Sequence, residues 1–113
     1  MVEPPIEALK AVAHPLRYAI LAALAGRELN VGEIEAATHI GQPTLSQQLA
    51  VLRGAGLVDS RREAKLVYYR TQSAAMQSIA DSLEILVARS SASLAKAADD
   101  KAVTGAAVFA RLD

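Results

Sequence analysis

The stretch from Ile40 to Arg53, I-G-Q-P-T-L-S-Q-Q-L-A-V-L-R, admits few local structures. Pro43 suits the first turn of a helix, where its missing N–H had no partner to lose. Leu45, Leu49 and Leu52 then recur at i, i+4 and i+7, the spacing of one helix face. Pro43, Thr44, Gln47, Ala50 and Gly54 point the opposite way. That outer face has no charge at its centre, carries amides and hydroxyls near the helix start, and turns small further along. Two readings fit it. One is an ordinary amphipathic helix with a solvated polar face. The other is a helix that enters a DNA major groove, where Gln pairs with adenine in bidentate fashion and Ser or Thr bond several base edges.

The flanking sequence shifts the balance between them. Pro4-Pro5 opens a short helix with Ile6, Leu9 and Val12/Ala13 on one side. Ala13-His14-Pro15 interrupts it, because the residue before proline avoids the α region. A second helix runs from Pro15 to about Ala25, with Leu16, Ile20, Ala23 and Leu24 inward and Gly26 as its stop. His14 reads as a loop or cap residue rather than a ligand. Asn30-Val31-Gly32-Glu33 has the form of a capping box. It predicts a third helix to about Thr38, with Ile34 and Ala37 inward and Gly41 as the break. Two short helices joined by a tight turn, the second polar on its outer face, make a helix-turn-helix. His39 lies near that turn, where it reads as a solvated helix end or as a group within reach of a phosphate.

After Gly54-Ala55-Gly56, the segments Leu57–Arg62 and Lys65–Arg70 read as two strands. Glu63-Ala64 holds no Gly or Asn, so a connection of three to five residues is expected rather than a tight two-residue turn. This hairpin, or wing, is expected to carry Arg61, Arg62 and Lys65 at its tip. There they would hold phosphates or reach a minor groove, unless they only solvate an edge hairpin. The formal charge of the whole chain is zero, from twelve basic and twelve acidic residues. It is unevenly spread: residues 41–70 hold five basic residues against Asp59 and Glu63, a local +3 beside the polar helix face.

From Gln72 to about Ala98 there is neither proline nor glycine, and Met76, Ile79, Leu83, Leu86/Val87, Ser90 and Leu94 recur at helical spacing. This last helix is longer than a small winged core requires. Its stripe and that of the first helix call for a partner, and a symmetric homodimer burying Leu9, Val12, Ile79, Leu83 and Leu86 supplies one. The expected organisation is mainly α with a small β-hairpin. Residues 1–98 form one winged helix-turn-helix domain that dimerises through its first and last helices. Residues 99–113 form a tail, either disordered or packing Val108, Phe109 and Leu112 back on the dimer helices.

Alanine and leucine dominate a chain that is 52% hydrophobic and 4% aromatic. With no cysteine, disulfides and thiolate chemistry are excluded. The longest apolar run, Tyr18 to Ala25, is too short to span a bilayer, and the acidic N-terminus does not read as a signal peptide, so the expected location is the cytoplasm. Ser46 has no neighbouring base, the two histidines fall in separate elements, and no phosphate loop or metal pattern is present. No catalytic residue, cofactor site or metal site is therefore assigned, and an enzyme is not expected. A helix rather than an aromatic platform carries the polar face, which favours duplex DNA over RNA.

Five segments in this order resemble the ArsR/SmtB family of bacterial transcriptional repressors: A-H-P-L-R (Ala13 to Arg17), E-L-N-V-G-E-I (Glu28 to Ile34), Q-P-T-L-S-Q-Q-L-A-V-L-R (Gln42 to Arg53), G-L-V (Gly56 to Val58) and V-Y-Y-R (Val67 to Arg70). The resemblance implies a homodimeric winged helix-turn-helix that binds a double-stranded DNA operator of inverted-repeat form and is released by an effector. Carried onto this chain, the DNA-binding residues are Gln42, Thr44, Ser46, Gln47, Gln48, Arg61, Arg62 and Lys65.

The sensing positions depart from the family. Where members that sense metal carry C-V-C, this chain resembles them only in position, with Asn30 and Gly32. The interhelical zinc pattern of other members falls on Ser73, Ala75, Leu86 and Arg89. The wording of the recognition helix and wing is most similar to the sulfide- and persulfide-responsive subgroup, whose relatives regulate biofilm or virulence genes. Its two switching cysteines fall on Ala22 and Ala88. This implies either a naturally cysteine-free relative with a different input or an engineered form held in the reduced-like state. The effector is unassigned. A second function class stands beside the repressor: a protein-interaction module that kept the fold and lost DNA binding.

Overall fold

A computed structural model describes residues 3–101, with side chains to residue 92. It divides into two units, Met1–Ile79 and Ala80–Asp113. Eight elements follow in order: α1 (Ile6–Val12), α2 (Pro15–Leu24), β1 (Leu29–Asn30), α3 (Val31–Thr38), α4 (Thr44–Gly54), β2 (Val58–Glu63), β3 (Leu66–Thr71) and α5 (Ser73–Lys101). The expected mainly-α winged helix-turn-helix is the observed one. Val108, Phe109 and Leu112 lie outside the described residues, as does the side chain of Leu94.

The caps are built as their residue types require. His14 is extended (φ −152°, ψ 130°), as a residue before proline should be, and its Nδ1 accepts the Leu16 N–H at 3.1 Å. Asn30 accepts from the Glu33 N–H at 2.9 Å while its own N–H donates to the Glu33 carboxylate at 2.9 Å, completing the capping box. The break after α3 differs from expectation: His39, not Gly41, takes the left-handed conformation, with φ 60°. The helix needs one αL residue at its end, and histidine is among the non-glycine types that accept it. Pro43 sits at the N-cap of α4 instead of its first turn, after a cis Gln42–Pro43 peptide.

The core of the first unit is aliphatic. Ile20, Leu24, Ile34, Leu45, Leu49, Leu52 and Leu57 are fully buried, and Ile40, Val58, Leu21, Leu29, Ala11 and Ile79 join them. Each large side chain contributes about 1.5–3 kcal/mol on leaving water. The buried stripe of α2 includes Leu21, which the expected pattern omitted, while Leu16 and Ala23 are only half-buried. Ala37, expected inward, is exposed, because α3 is covered on the Ile34 side alone. Ile79, expected at a dimer interface, is 7% exposed within its own protomer. Among the described residues no buried side-chain polar atom lacks a partner.

The hairpin carries a third strand. β1 pairs antiparallel with β3 (Leu29↔Tyr69, Asn30↔Tyr68), giving the order β1-β3-β2. Two residues are too few to show a period of two, so this strand left no pattern to read. Gly56, at φ +75°, turns the chain from α4 into β2. The expected wide loop is instead a tight one: Glu63 pairs with Leu66, leaving only Ala64 and Lys65 to connect the strands. Ala64 adopts φ 56°. The twist of a hairpin favours positive φ in a two-residue loop, and the six paired positions of β2 and β3 outweigh the cost of about 1–2 kcal/mol for placing an alanine there.

In the second unit, α5 continues to Lys101, and Leu83, Ile85, Leu86 and Val87 are 47–59% exposed. No described helix is long and apolar enough to cross a membrane.

Replacing Ala64 with Gly should relieve the left-handed alanine and raise stability by roughly 0.5–1 kcal/mol after the entropy of the freer unfolded chain is subtracted. Urea unfolding of the two proteins measures this, and a lower midpoint for the glycine variant would show that Ala64 is not strained.

Candidate nucleic-acid interface

Burial of Leu45, Leu49 and Leu52 turns the opposite face of α4 outward. Pro43, Gln47, Ala50 and Gly54 are exposed there and Thr44 is half-buried. Thr44, Gln47 and Val51 fall at i, i+3 and i+7, one line along the helix. Val51 is 44% exposed, an apolar group on a face expected to be polar. It escaped the sequence reading because the leucine stripe already accounted for the apolar residues of this helix.

The polar residues of the helix start divide by what they bind within the chain. The Gln42 side-chain oxygen accepts both the Ser46 N–H (3.1 Å) and the Ser46 hydroxyl (2.7 Å), and its amide nitrogen donates to Glu35 at 3.3 Å. Gln42 thereby supplies the cap that Pro43 cannot. Gln48 accepts from Arg17 at 2.9 Å, and Arg17 also donates to the Ala11 carbonyl at 2.6 Å. This ties α4 to α2 and to the end of α1. Among the described residues Thr44 and Gln47 have no side-chain hydrogen-bond partner, and Gln47 is exposed.

The wing separates residues that are adjacent in sequence. Side chains alternate across a strand, and the register pairs Arg61 with Tyr68 and Arg62 with Val67. Arg62 therefore shares a face with Val58, Ser60 and Tyr69, and Arg61 lies on the other with Asp59, Glu63, Tyr68 and Arg70. Of the three cations expected at the tip, only Lys65 sits in the loop. Arg62 and Lys65 are exposed and form no ion pair among the described residues. All three nitrogens of Arg61 donate to carboxylates. Its Nε and Nη2 donate to the two carboxylate oxygens of Glu28 at 2.9 and 2.7 Å, and its Nη1 donates to Glu63 at 2.7 Å. Its guanidinium lies 4.8 Å from the centre of the Tyr68 ring. Asp59 and Arg70 form a looser pair at 3.8 Å on the same face.

These contacts set the titration of the face. The hydrogen bonds from Arg61 hold the Glu28 carboxyl below the usual carboxylate range, with a smaller contribution from the positive charge of Arg70. Glu28, and then Glu63, raise the pKa of Arg61 further above its ordinary value. Arg17, Glu28 and Tyr68 had no assigned role in the sequence. Glu28 and Arg61 are 33 residues apart, and only the unanticipated β1 strand brings them to one sheet.

Three strands and a two-helix motif with a packed recognition helix define a winged helix-turn-helix. The model of the bacterial regulatory protein, arsR family, matches residues 14–60, from the cap of α2 into β2. The Biofilm growth-associated repressor of Agrobacterium fabrum is 60% identical over 62 residues, 55% of this chain and 53% of that protein, so the match spans about half the relative's length. The Transcriptional activator HlyU of Vibrio cholerae is 41% identical over 78 residues, 69% of this chain and 72% of the relative. The solved transcriptional repressor BigR from Xylella fastidiosa is 42% identical, with a TM-score of 0.60 over 71% of this chain and 83% of that one. The chain belongs to the ArsR family of bacterial regulatory proteins, a family of transcriptional regulators and not of enzymes.

Because the folded Glu28 carboxyl is held below its unfolded value, the stability it contributes is complete above the ordinary value of 4.5 and is lost as pH falls through the lower, folded one. The stability gap between the unmodified chain and Glu28→Gln should be constant near neutral pH and shrink as pH drops below 4.5. Thermal unfolding of both proteins across that range reads the gap, and a gap independent of pH would show that Glu28 is not the titrating group.

Proposed function

We propose that this chain is a homodimeric regulator that binds a double-stranded DNA operator of inverted-repeat form and represses transcription. The observation that supports it best is the division on α4. The helix is anchored by three buried leucines and by Gln42, Ser46 and Gln48, while half-buried Thr44 and exposed Gln47 on its uncharged face have no side-chain partner among the described residues. A reading helix needs this combination of rigid support and free donors and acceptors. In this reading Gln47 and Thr44 contact base edges. Gln42, Ser46 and Gln48 flank them and hold the register. Arg62 and Lys65 bind phosphate or a narrow minor groove. The repressor sign follows the Agrobacterium relative. No cysteine is present to serve as a thiol sensor, so the signal acts through other chemistry.

Two recognition helices related by a two-fold axis would enter successive major grooves about one DNA turn apart. With a duplex enriched from a randomised library by the unmodified protein, Gln47→Ala should cost about 1–3 kcal/mol and relax preference at one position per half-site. Arg62→Ala should weaken all sequences alike and lower the log–log salt slope by about one unit per lost phosphate contact. Titrations on selected and scrambled duplexes at several salt concentrations separate the roles. Loss of discrimination in Arg62→Ala alone would make the wing the reader. Enrichment of no duplex at all would favour a protein-interaction module.

Leu83 and Leu86 are 47% and 59% exposed on α5, while Leu9 and Val12 of α1 are partly buried against their own core. We propose that α1 and α5 form the dimer contact, with Leu83 and Leu86 its main apolar contribution. Leu83→Asp should leave the protomer folded and produce monomers, since an unpaired charge in such an interface costs several kcal/mol. Sedimentation velocity at micromolar concentration reports this, and an unchanged dimer would place the interface elsewhere.

A further inference from the structure

The outer face of the sheet is bridged by one side chain. In the strand order β1-β3-β2, Glu28 precedes one edge strand and Arg61 lies on the other, with Tyr68 between them. Neighbouring strands are about 4.8 Å apart, so the gap from edge to edge is about twice that. Arg61 closes it by crossing the Tyr68 ring and meeting both oxygens of the Glu28 carboxylate, while its remaining nitrogen holds Glu63. Asn30 couples this bracket to the helix-turn-helix, because it is both the β1 residue opposite Tyr68 and the cap of α3.

We infer that Glu28 and Arg61 are positioning residues for DNA binding: their bidentate pair locks the wing to the start of α3, so that Arg62 and Lys65 are presented in a fixed place. The inference rests on the reading of the wing as a DNA contact. Each nitrogen of Arg61 already donates to a carboxylate, so a phosphate approaching its remaining N–H groups would lie beside the negative charges of Glu28 and Glu63. Arg62 and Lys65 hold no carboxylate among the described residues. Bidentate guanidinium–carboxylate geometry supplies direction as well as attraction. The depressed titration of Glu28 agrees with this pairing.

The sign of one substitution separates positioning from phosphate binding. Glu28→Gln removes a negative charge, and simple charge counting predicts tighter DNA binding. Positioning predicts the reverse: weaker binding by about three- to tenfold, the range of a well-formed ion pair with an added ring contact. Arg61→Gln should weaken binding by a similar factor with the salt slope unchanged, whereas Arg62→Gln should lower the slope by about one unit. The exchanged pair, Glu28→Arg with Arg61→Glu, should recover part of the affinity that Arg61→Gln loses. Titrations use the library-selected duplex and the full chain. Tighter binding by Glu28→Gln, or a fall in slope for Arg61→Gln equal to that of Arg62→Gln, overturns the inference. Amide hydrogen exchange without DNA should show faster opening of Val58–Glu63 and Leu66–Thr71 in Glu28→Gln, and unchanged exchange also overturns it. If the unmodified chain enriches no duplex while exchange quickens as expected, the DNA reading fails and the lock itself stands.

Discussion

Leu45, Leu49 and Leu52 are each no more than 2% exposed, and their burial determines the rotation of α4 about its own axis. A helix held by one leucine face has only one face left for a partner. Ile20 and Leu24 of α2 and Ile34 of α3 belong to the same cluster, so the two helices of the motif share one core. Truncating Leu49 would remove about 2–5 kcal/mol and also the constraint that keeps Gln47 outward. In this small domain stability and presentation are therefore one property, since the same leucines that close the core also orient α4.

Hydrogen bonds then sort the polar residues that the core leaves outside. Composition alone cannot distinguish Gln42, Gln47 and Gln48, which are chemically identical. Gln42 caps α4 through Ser46, Gln48 receives Arg17 from α2, and Gln47 has neither task. The same sorting applies on the wing, where Arg61 is held by two carboxylates and Arg62 by none among the described residues. A contact that restrains a side chain reduces the entropy it loses on meeting a ligand, but it also consumes its donors. In the proposed reading the unbonded residues supply recognition, and their bonded neighbours supply the frame.

The sequence carried the local signals well. The residue before Pro15 ends α1, Asn30 with Glu33 begins α3, and the leucine period defines α4, because each is governed by chemistry within four positions of itself. Non-local features did not register. β1 is two residues long and exists only because β3 offers it a partner. The tight turn at Ala64-Lys65 violates its local preference because the full β2–β3 ladder imposes it. Ile79 continues the α5 stripe without any mark in sequence to separate the residue that closes the protomer core from Leu83, which stays exposed. The Glu28–Arg61 pair was hidden for the same reason as β1, since that strand is what brings it together.

A formal charge of zero is compatible with a nucleic-acid partner once charges are counted by availability. Arg61 is neutralised by Glu28 and Glu63, and Arg70 leans on Asp59. Arg62 and Lys65 are the exposed wing cations without a carboxylate partner among the described residues. A surface with few free cations gains little from counterion release and binds DNA of arbitrary sequence weakly. In the proposed reading, affinity comes from base contacts on the uncharged outer face of α4, which form only where the bases fit. An internally balanced charge set then lowers the background against which a correct site is recognised, and the carboxylates that pair with arginines on the outer face of the sheet would serve selectivity as well as rigidity.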